Sequence, residues 1–470
     1  MFSASLAINK GAYPDDLRSA CRRRHPNATA GYHQTLIETV PVRKHGLNNP
    51  TVISQFVKTA RRLWELDALR GLMLMLMTLT HLPTRLSEPL GQPFGYVSAA
   101  EGFVLLSAYM AGLVYGRLAK YRGIDAMRTA FWLRARKVYL AHAALLLFLF
   151  TAIAAVGIKA HQPAVSYLMD FYLLEPFRAL LSGLFLLYKP PLLDILPMYV
   201  IFMLASPIAL FWAHHRGWHG IMAGSLGLWF LAQFGISEWL YVAMVGPATM
   251  HLPFNETGAF STLAWQFLWV LGLGMGASRS DVHPVRFVFP RWAVGLAVVV
   301  GMAAFCWRHG IGQTPADPST QTGVLINLLL DKWQLGPLRL LNLMALLVLV
   351  IHFLPRQLRR APRWLRPTLL ETLGSASLPV FFVHLVIVLL TLAVWGDAPD
   401  ARPWWGDGIL LIACFAALYG VAYATLWLER SVARKKEHVR GSAEKHAAPV
   451  VAASSATSSN PPSTVSSANS

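Results

Sequence analysis

Arg70 and His81 stand eleven positions apart in RLWELDALRGLMLMLMTLTH, residues 62–81, inside an otherwise apolar run. On a helix that spacing turns the chain through about 1100°, three turns and roughly 20°, so the two side chains share a face. They lie about 16 Å apart along the axis, around half the thickness of a hydrocarbon core. A guanidinium binds phosphate or carboxylate with two parallel hydrogen bonds, and an imidazole exchanges protons near neutral pH. One stripe carrying both at two depths suggests a route through a membrane with a proton-transfer group near one end.

Glu101, in AAEGFVLLSAYMAG, lies in the next apolar run. A carboxylate in the hydrocarbon zone costs a few kcal/mol and normally has a partner and a task. The intervening stretch 82–93 is short and holds Pro83, Pro89 and Pro93, so the two runs form a hairpin. That hairpin puts Glu101 at the depth of His81, its nearest candidate partner. The bland alternative is a structural carboxylate paired with another helix.

Further candidates lie along the chain. FWLRARKVYLAH carries Arg134, Arg136, Tyr139 and His142. Arg136, Tyr139 and His142 recur every third residue and fall within about 120° of one face. Such arginines can clamp phosphates, although basic residues at an inner helix end are expected for topology alone. Asp194 opens another apolar run in DILPMY, and His384 sits near mid-membrane in LGSASLPVFFVH. A lone histidine in a bundle is more often a hydrogen-bonded packing residue than a catalyst. The expected outer segments mix acids with aromatics, which suits a neutral polyhydroxyl acceptor better than a polyanion. The three cysteines, Cys21, Cys306 and Cys414, are too scattered for a disulfide framework, and no metal site is expected.

The elements that must position these residues are membrane helices. Of 470 residues 55% are hydrophobic and 14% charged, and mean hydropathy is +0.45, which excludes an ordinary soluble balance. Ten runs of about span length can be read near 68–85, 94–115, 138–156, 192–213, 219–235, 262–277, 292–307, 338–354, 376–395 and 408–428. The expected fold is all-α, with about ten transmembrane helices and both termini cytoplasmic. With that topology 32 of the 41 Lys and Arg fall in internal segments, the positive-inside signature. The net charge of +18 therefore reports topology, and no nucleic-acid partner is expected. Residues 1–61 read as a largely disordered cytoplasmic tail, with local helix near 53–62. Residues 62–430 form the membrane domain, and 431–470 read as a disordered Ser/Ala/Pro-rich cytoplasmic tail. No cleavable signal peptide is visible, so insertion is expected to rely on the first span.

RLWELDALRGLMLMLMTLTH, VSAAEGFVLLSAYMAG and DILPMY together resemble the OpgC family, inner-membrane acyltransferases that add succinyl groups to osmoregulated periplasmic glucans. More distantly the chain is similar to the acyltransferase-three superfamily, whose members carry acyl groups from cytoplasmic coenzyme A thioesters to extracytoplasmic glycans. The signature of a basic residue, ten residues and a histidine is met by Arg70 and His81, and the Leu-Gly…His pattern by Leu373, Gly374 and His384. The usual arginine pair before the third span is here Arg134, Arg136 and Lys137. The resemblance implies a bacterial inner-membrane O-acyltransferase with acyl-CoA, succinyl-CoA above all, as donor and a glucan hydroxyl as acceptor. Glucan-synthesis proteins are further partners in that setting.

On this reading His81 is the base, and Glu101 orients it as the acid does in a hydrolase triad. Arg70, Arg134, Arg136 and Tyr139 hold the donor, while Asp194 and His384 face the acceptor. The rival is a glycan or acyl-group transporter using Arg70, His81 and Glu101 as a proton-coupled site. No internal repeat supports it. A silent scaffold for glucan synthesis would leave Glu101 without a reason.

Overall fold

Glu65, Asp67 and Arg70 give the first helix more charge than a membrane span usually tolerates, and of the three Asp67 is buried. The computed structural model describes residues 63–244, 252–280, 285, 287–310, 316–360, 366–398 and 402–456, without the side chains of 244, 355–360 and 436–456. Among the described residues every regular element is a helix. Trp64–His81 (α1), Ala99–Arg122 (α2) and Ile124–Phe148 (α3) come first, and α3 continues through a π turn at Leu149–Ile153 into Ala154–Lys159. Next come Ile195–Arg216 (α4), His219–Ala232 (α5), Ile236–Met244 (α6), Thr262–Arg279 (α7) and Arg291–Gly310 (α8). Pro337–Arg360 (α9), Thr368–Ser375 (α10), Ser377–Trp395 (α11) and Trp404–Ala456 (α12) complete the order.

Among the described residues eight helical stretches are long and apolar enough to cross a bilayer, and the α5–α6 pair, bent by 88°, makes a ninth. The protein is an all-α membrane protein. Its first helix is less apolar than these because of its three charges. Large apolar side chains such as Phe234, Trp292, Val299 and Ile412 point outwards, as a lipid-facing surface requires.

Helix boundaries shift from the sequence expectation where caps decide them. The second span, expected from 94, starts at Ala99, because Ser98 and Glu101 form a reciprocal capping box. The C-terminal segment expected to be disordered from 431 remains helical to Ala456. Its Arg, Lys, Glu and Ala residues are strong helix formers, and they continue the preceding span without a break. The N-terminal tail and the local helix expected at 53–62 lie outside the described residues.

Two close backbone approaches set the register of α1. A Cβ on Gly71 would lie 1.9 Å from the Leu370 carbonyl oxygen, and one on Gly374 would lie 1.8 Å from that of Asp67. Small residues at both crossings let α10 lie directly on α1, as helices in membranes commonly pack. The Leu373-Gly374 pair seen in the sequence is therefore a packing device that brings the start of α11 to the side of α1.

Candidate active site

Two hydrogen bonds tie α1 to α11 at two depths. Arg70 Nη2 donates to Ser377 Oγ at 2.5 Å, at the start of α11. Further along both helices His81 Nδ1 and His384 Nε2 are 3.1 Å apart, with the rings stacked at a centroid distance of 5.3 Å. Both links rise in number together, so α1 and α11 run in the same direction. The eleven-residue spacing on α1 therefore has a counterpart in the seven residues from Ser377 to His384.

The proton positions in the histidine pair are set from its far end. His384 Nδ1 is 2.8 Å from the Phe381 carbonyl oxygen, which can only accept, so Nδ1 carries the hydrogen. In a neutral ring Nε2 is then the lone-pair nitrogen, and His81 Nδ1 must donate to it. That leaves the lone pair of His81 on Nε2. His384 is fully buried whereas His81 is half-buried, so the basic nitrogen is on the accessible member of the pair. His384, expected to face the acceptor, instead sets the tautomer of His81.

On the Arg70 side of the pair lies a cavity of about 220 Å³ lined by Arg70, Arg134, Tyr115, Tyr199, Ser377 and Glu429. It adjoins a tighter one of about 30 Å³ that shares Arg70, Arg134, Tyr199 and Ser377 and ends among Phe103, Ile195, Leu196 and Phe381. Arg134 and Tyr199 line both cavities together. The Phe381 ring stacks on Phe103 at 5.8 Å and meets His384 edge-on at 5.0 Å. A polar, arginine-bearing mouth thus narrows into an aromatic throat whose inner wall touches the histidine pair.

Glu101 is not part of that pair. Its Oε1 accepts from Arg339 Nε at 2.5 Å, and its Oε2 accepts from the Ser98 backbone N–H at 3.0 Å and from the Ser98 hydroxyl. Glu101 is fully buried and Arg339 is 2% exposed, so this is a buried ion pair joining α2 to α9. The expectation that Glu101 orients His81 is corrected on two grounds. The helix starts later than its apolar run, which moves Glu101 to the first turn. Both carboxylate oxygens are already bound there. The signal is present in the sequence as Ser98-x-x-Glu101, the pattern of a capping box.

Arg136 and Tyr139 also stand elsewhere. Arg136 is exposed, and the Tyr139 hydroxyl donates to the Leu184 carbonyl at 3.1 Å, on a face of α3 that does not line the cavity. His142 shares that face and meets the Gly183 carbonyl at 3.2 Å. Only Arg134 of the expected arginine pair lines the cavity, because residues two apart on a helix point in opposing directions.

Asp194 precedes α4 at the His81 end and is 5% exposed. Burial pushes its carboxyl up to about 6, against the pull of Lys189 and Lys332 and of the Ala259 and Ile195 N–H groups. Lys332, half-buried in the loop before α9, carries no signal in the sequence that marks it out. Burial lowers its ammonium below the ordinary lysine range; the Glu101 carboxylate opposes this, Arg339 adds to it and Asp194 opposes it. Sequence reasoning likewise misses Arg339, Tyr199 and Ser377, since each is one polar residue in an unremarkable helix and gains meaning only from its partner.

A family model described as OpgC protein matches residues 62–430. No curated protein and no solved structure matches the chain.

Proposed function

The chain belongs to the OpgC protein family, and on that premise we propose that it is a bacterial inner-membrane O-acyltransferase. It would move an acyl group, succinyl by the family resemblance, from cytoplasmic acyl-CoA to a hydroxyl of a periplasmic glucan. The observation that carries this reading is the order of groups through the bundle. Arg70 and Arg134 stand at a cavity on one side, an aromatic throat comes next, and a histidine pair with a fixed tautomer lies beyond it.

Each part has a task. Arg70 and Arg134 attract the phosphates of the donor, for which the guanidinium fork is suited. The throat of Phe103, Ile195, Leu196 and Phe381 accepts the uncharged pantetheine arm and excludes water from the thioester. His81 Nε2 takes the proton of the acceptor hydroxyl as its oxygen bonds to the thioester carbonyl carbon. The tetrahedral intermediate collapses by breaking the carbon–sulfur bond, and the departing thiolate takes the proton from His81. While His81 is an imidazolium, its Nδ1–H remains bonded to the lone pair of His384 Nε2. His384 thus plays the part usually given to a carboxylate, holding the ring without adding a negative charge. Glu101 and Arg339 anchor α2 to α9 around the site.

Proteoliposomes containing the full chain, with radiolabelled acyl-CoA on one side and an oligoglucoside on the other, test the reading. A transferase consumes acyl-CoA, releases free coenzyme A and labels the oligoglucoside, all dependent on both substrates. Movement of either molecule unmodified, with no coenzyme A released, supports the transporter reading instead.

A further inference from the structure

At the His81 end of the bundle three cations gather around incompletely satisfied guanidinium groups. Arg308 on α8 is 5% exposed and Arg339 on α9 is 2% exposed. Arg308 Nε donates to Gln92 Oε1 at 3.0 Å, but its buried Nη1 has no hydrogen-bond partner among the described residues. Arg339 gives Nε to Glu101 and Nη1 to the Leu330 carbonyl at 3.4 Å, and its buried Nη2 likewise has none. The Arg339 charge acts on both the Arg308 guanidinium and the Lys332 ammonium as a like charge. Glu101 alone forms an ion pair with any of the three among the described residues, while Glu88, Tyr96 and Asp194 act on them from further away.

The backbone explains why they meet. A Cβ on Gly95 would lie 2.6 Å from Asn342 Nδ2 and 3.1 Å from the Ala304 Cβ, so α8, α9 and the loop before α2 converge there. One turn towards the His81 end from Ala304 is Arg308, and one turn from Asn342 in the same direction is Arg339. Lys332 is held on a fixed loop. Trp265 Nε1 donates to the Trp333 carbonyl at 3.1 Å, Trp229 Nε1 to that of Leu335 at 3.0 Å, and Gln233 Nε2 to that of Gln334 at 2.8 Å. Lys332 Nζ itself lies 4.7 Å over the Trp333 ring and makes no hydrogen bond or ion pair among the described residues.

A buried N–H without an acceptor is costly, and two of them on neighbouring guanidiniums call for one ligand that satisfies both. We propose that Arg308, Arg339 and Lys332 form a binding site for a small oxyanion, a carboxylate or phosphate ester carried by one of the two substrates. The Lys332 charge also acts on His81, and neither Lys332 nor the two arginines line the Arg70 cavity. Only the source of the anion rests on the transferase reading; the site itself does not.

The test uses the full chain in nanodiscs. Thermal unfolding is monitored with succinate, inorganic phosphate and the neutral succinamide, for the wild type and for Arg308→Gln, Arg308→Lys and Lys332→Met. The expected result is that succinate or phosphate stabilises the wild type and succinamide does not. Arg308→Gln and Lys332→Met weaken that apparent affinity at least about tenfold, and Arg308→Lys retains part of it. Absence of oxyanion-specific stabilisation, or equal stabilisation of variants that still melt cooperatively, overturns the site. This arm needs no turnover and is read even if the protein transfers nothing. Given turnover, KM for succinyl-CoA against butyryl-CoA, and for phosphorylated against neutral oligoglucoside, locates the anion. A rise of about tenfold for one charged substrate with its neutral analogue unchanged assigns the anion to the acyl group or to the acceptor. Equal effects on charged and neutral substrates of both kinds overturn the substrate assignment.

Discussion

His384 Nε2 lies 3.1 Å from His81 Nδ1, and the Phe381 carbonyl 2.8 Å from His384 Nδ1 decides which ring donates. The lone pair of His81 is thereby confined to Nε2. A phenylalanine at 384 removes that constraint while keeping an aromatic ring on α11. His384→Phe is expected to lower kcat by roughly 10²- to 10⁴-fold, the range of general-base and tautomer effects, with the donor KM little changed. Steady-state coenzyme A release measures both.

Arg134 and Arg136 are two residues apart, yet only the first lines the cavity. Arg134→Gln should raise the KM for acyl-CoA by about tenfold or more, the worth of a charged hydrogen bond, and Arg136→Gln should leave it unchanged. Titrating the donor at saturating acceptor for both variants checks the contrast.

Glu101→Gln leaves the Arg339 guanidinium buried without its counter-charge. Breaking a buried pair in this way costs on the order of 3–5 kcal/mol. The variant should melt markedly lower, and Glu101→Gln combined with Arg339→Met should recover most of the loss. Thermal unfolding in one detergent across the wild type and both variants measures it. An active double variant would also show that the carboxylate does not serve His81 directly.

Asp194 has a folded pKa of about 6, raised above 3.8 mainly by burial. The folded state therefore binds the proton more tightly than the unfolded state. This favours folding fully below about pH 4 and is lost as the pH rises through 6. Two units correspond to roughly 3 kcal/mol between those limits. The difference in stability between wild type and Asp194→Asn should change in that direction between pH 4 and 7, as chemical denaturation at each pH would register.

The sequence carries the general plan and part of the site. Apolar runs of span length are legible because the bilayer demands them, and each expected run overlaps a helix or the bent α5–α6 pair, with its ends displaced by several residues. Arg70 and His81 are legible since a polar pair at helical spacing stands out against leucine and methionine. Pairing between helices is not. From sequence His384 reads as an acceptor contact and Glu101 as the partner of His81, because nothing local says that α11 runs beside α1. Gly71 and Gly374 create that neighbourhood, and a glycine in an apolar run has many other uses. The depth of Glu101 differs from expectation for a local reason that is readable: Ser98 caps the helix several residues after the apolar run begins.

The central claim is that His81 Nε2 removes the proton of the acceptor hydroxyl. Its most direct test is acyl transfer by His81→Ala in proteoliposomes, read as coenzyme A release and labelled oligoglucoside, alongside the thermal unfolding of the same preparation. Loss of transfer to the background rate with a cooperative transition near that of the wild type is the predicted result. Transfer at the wild-type rate by the folded variant would contradict it.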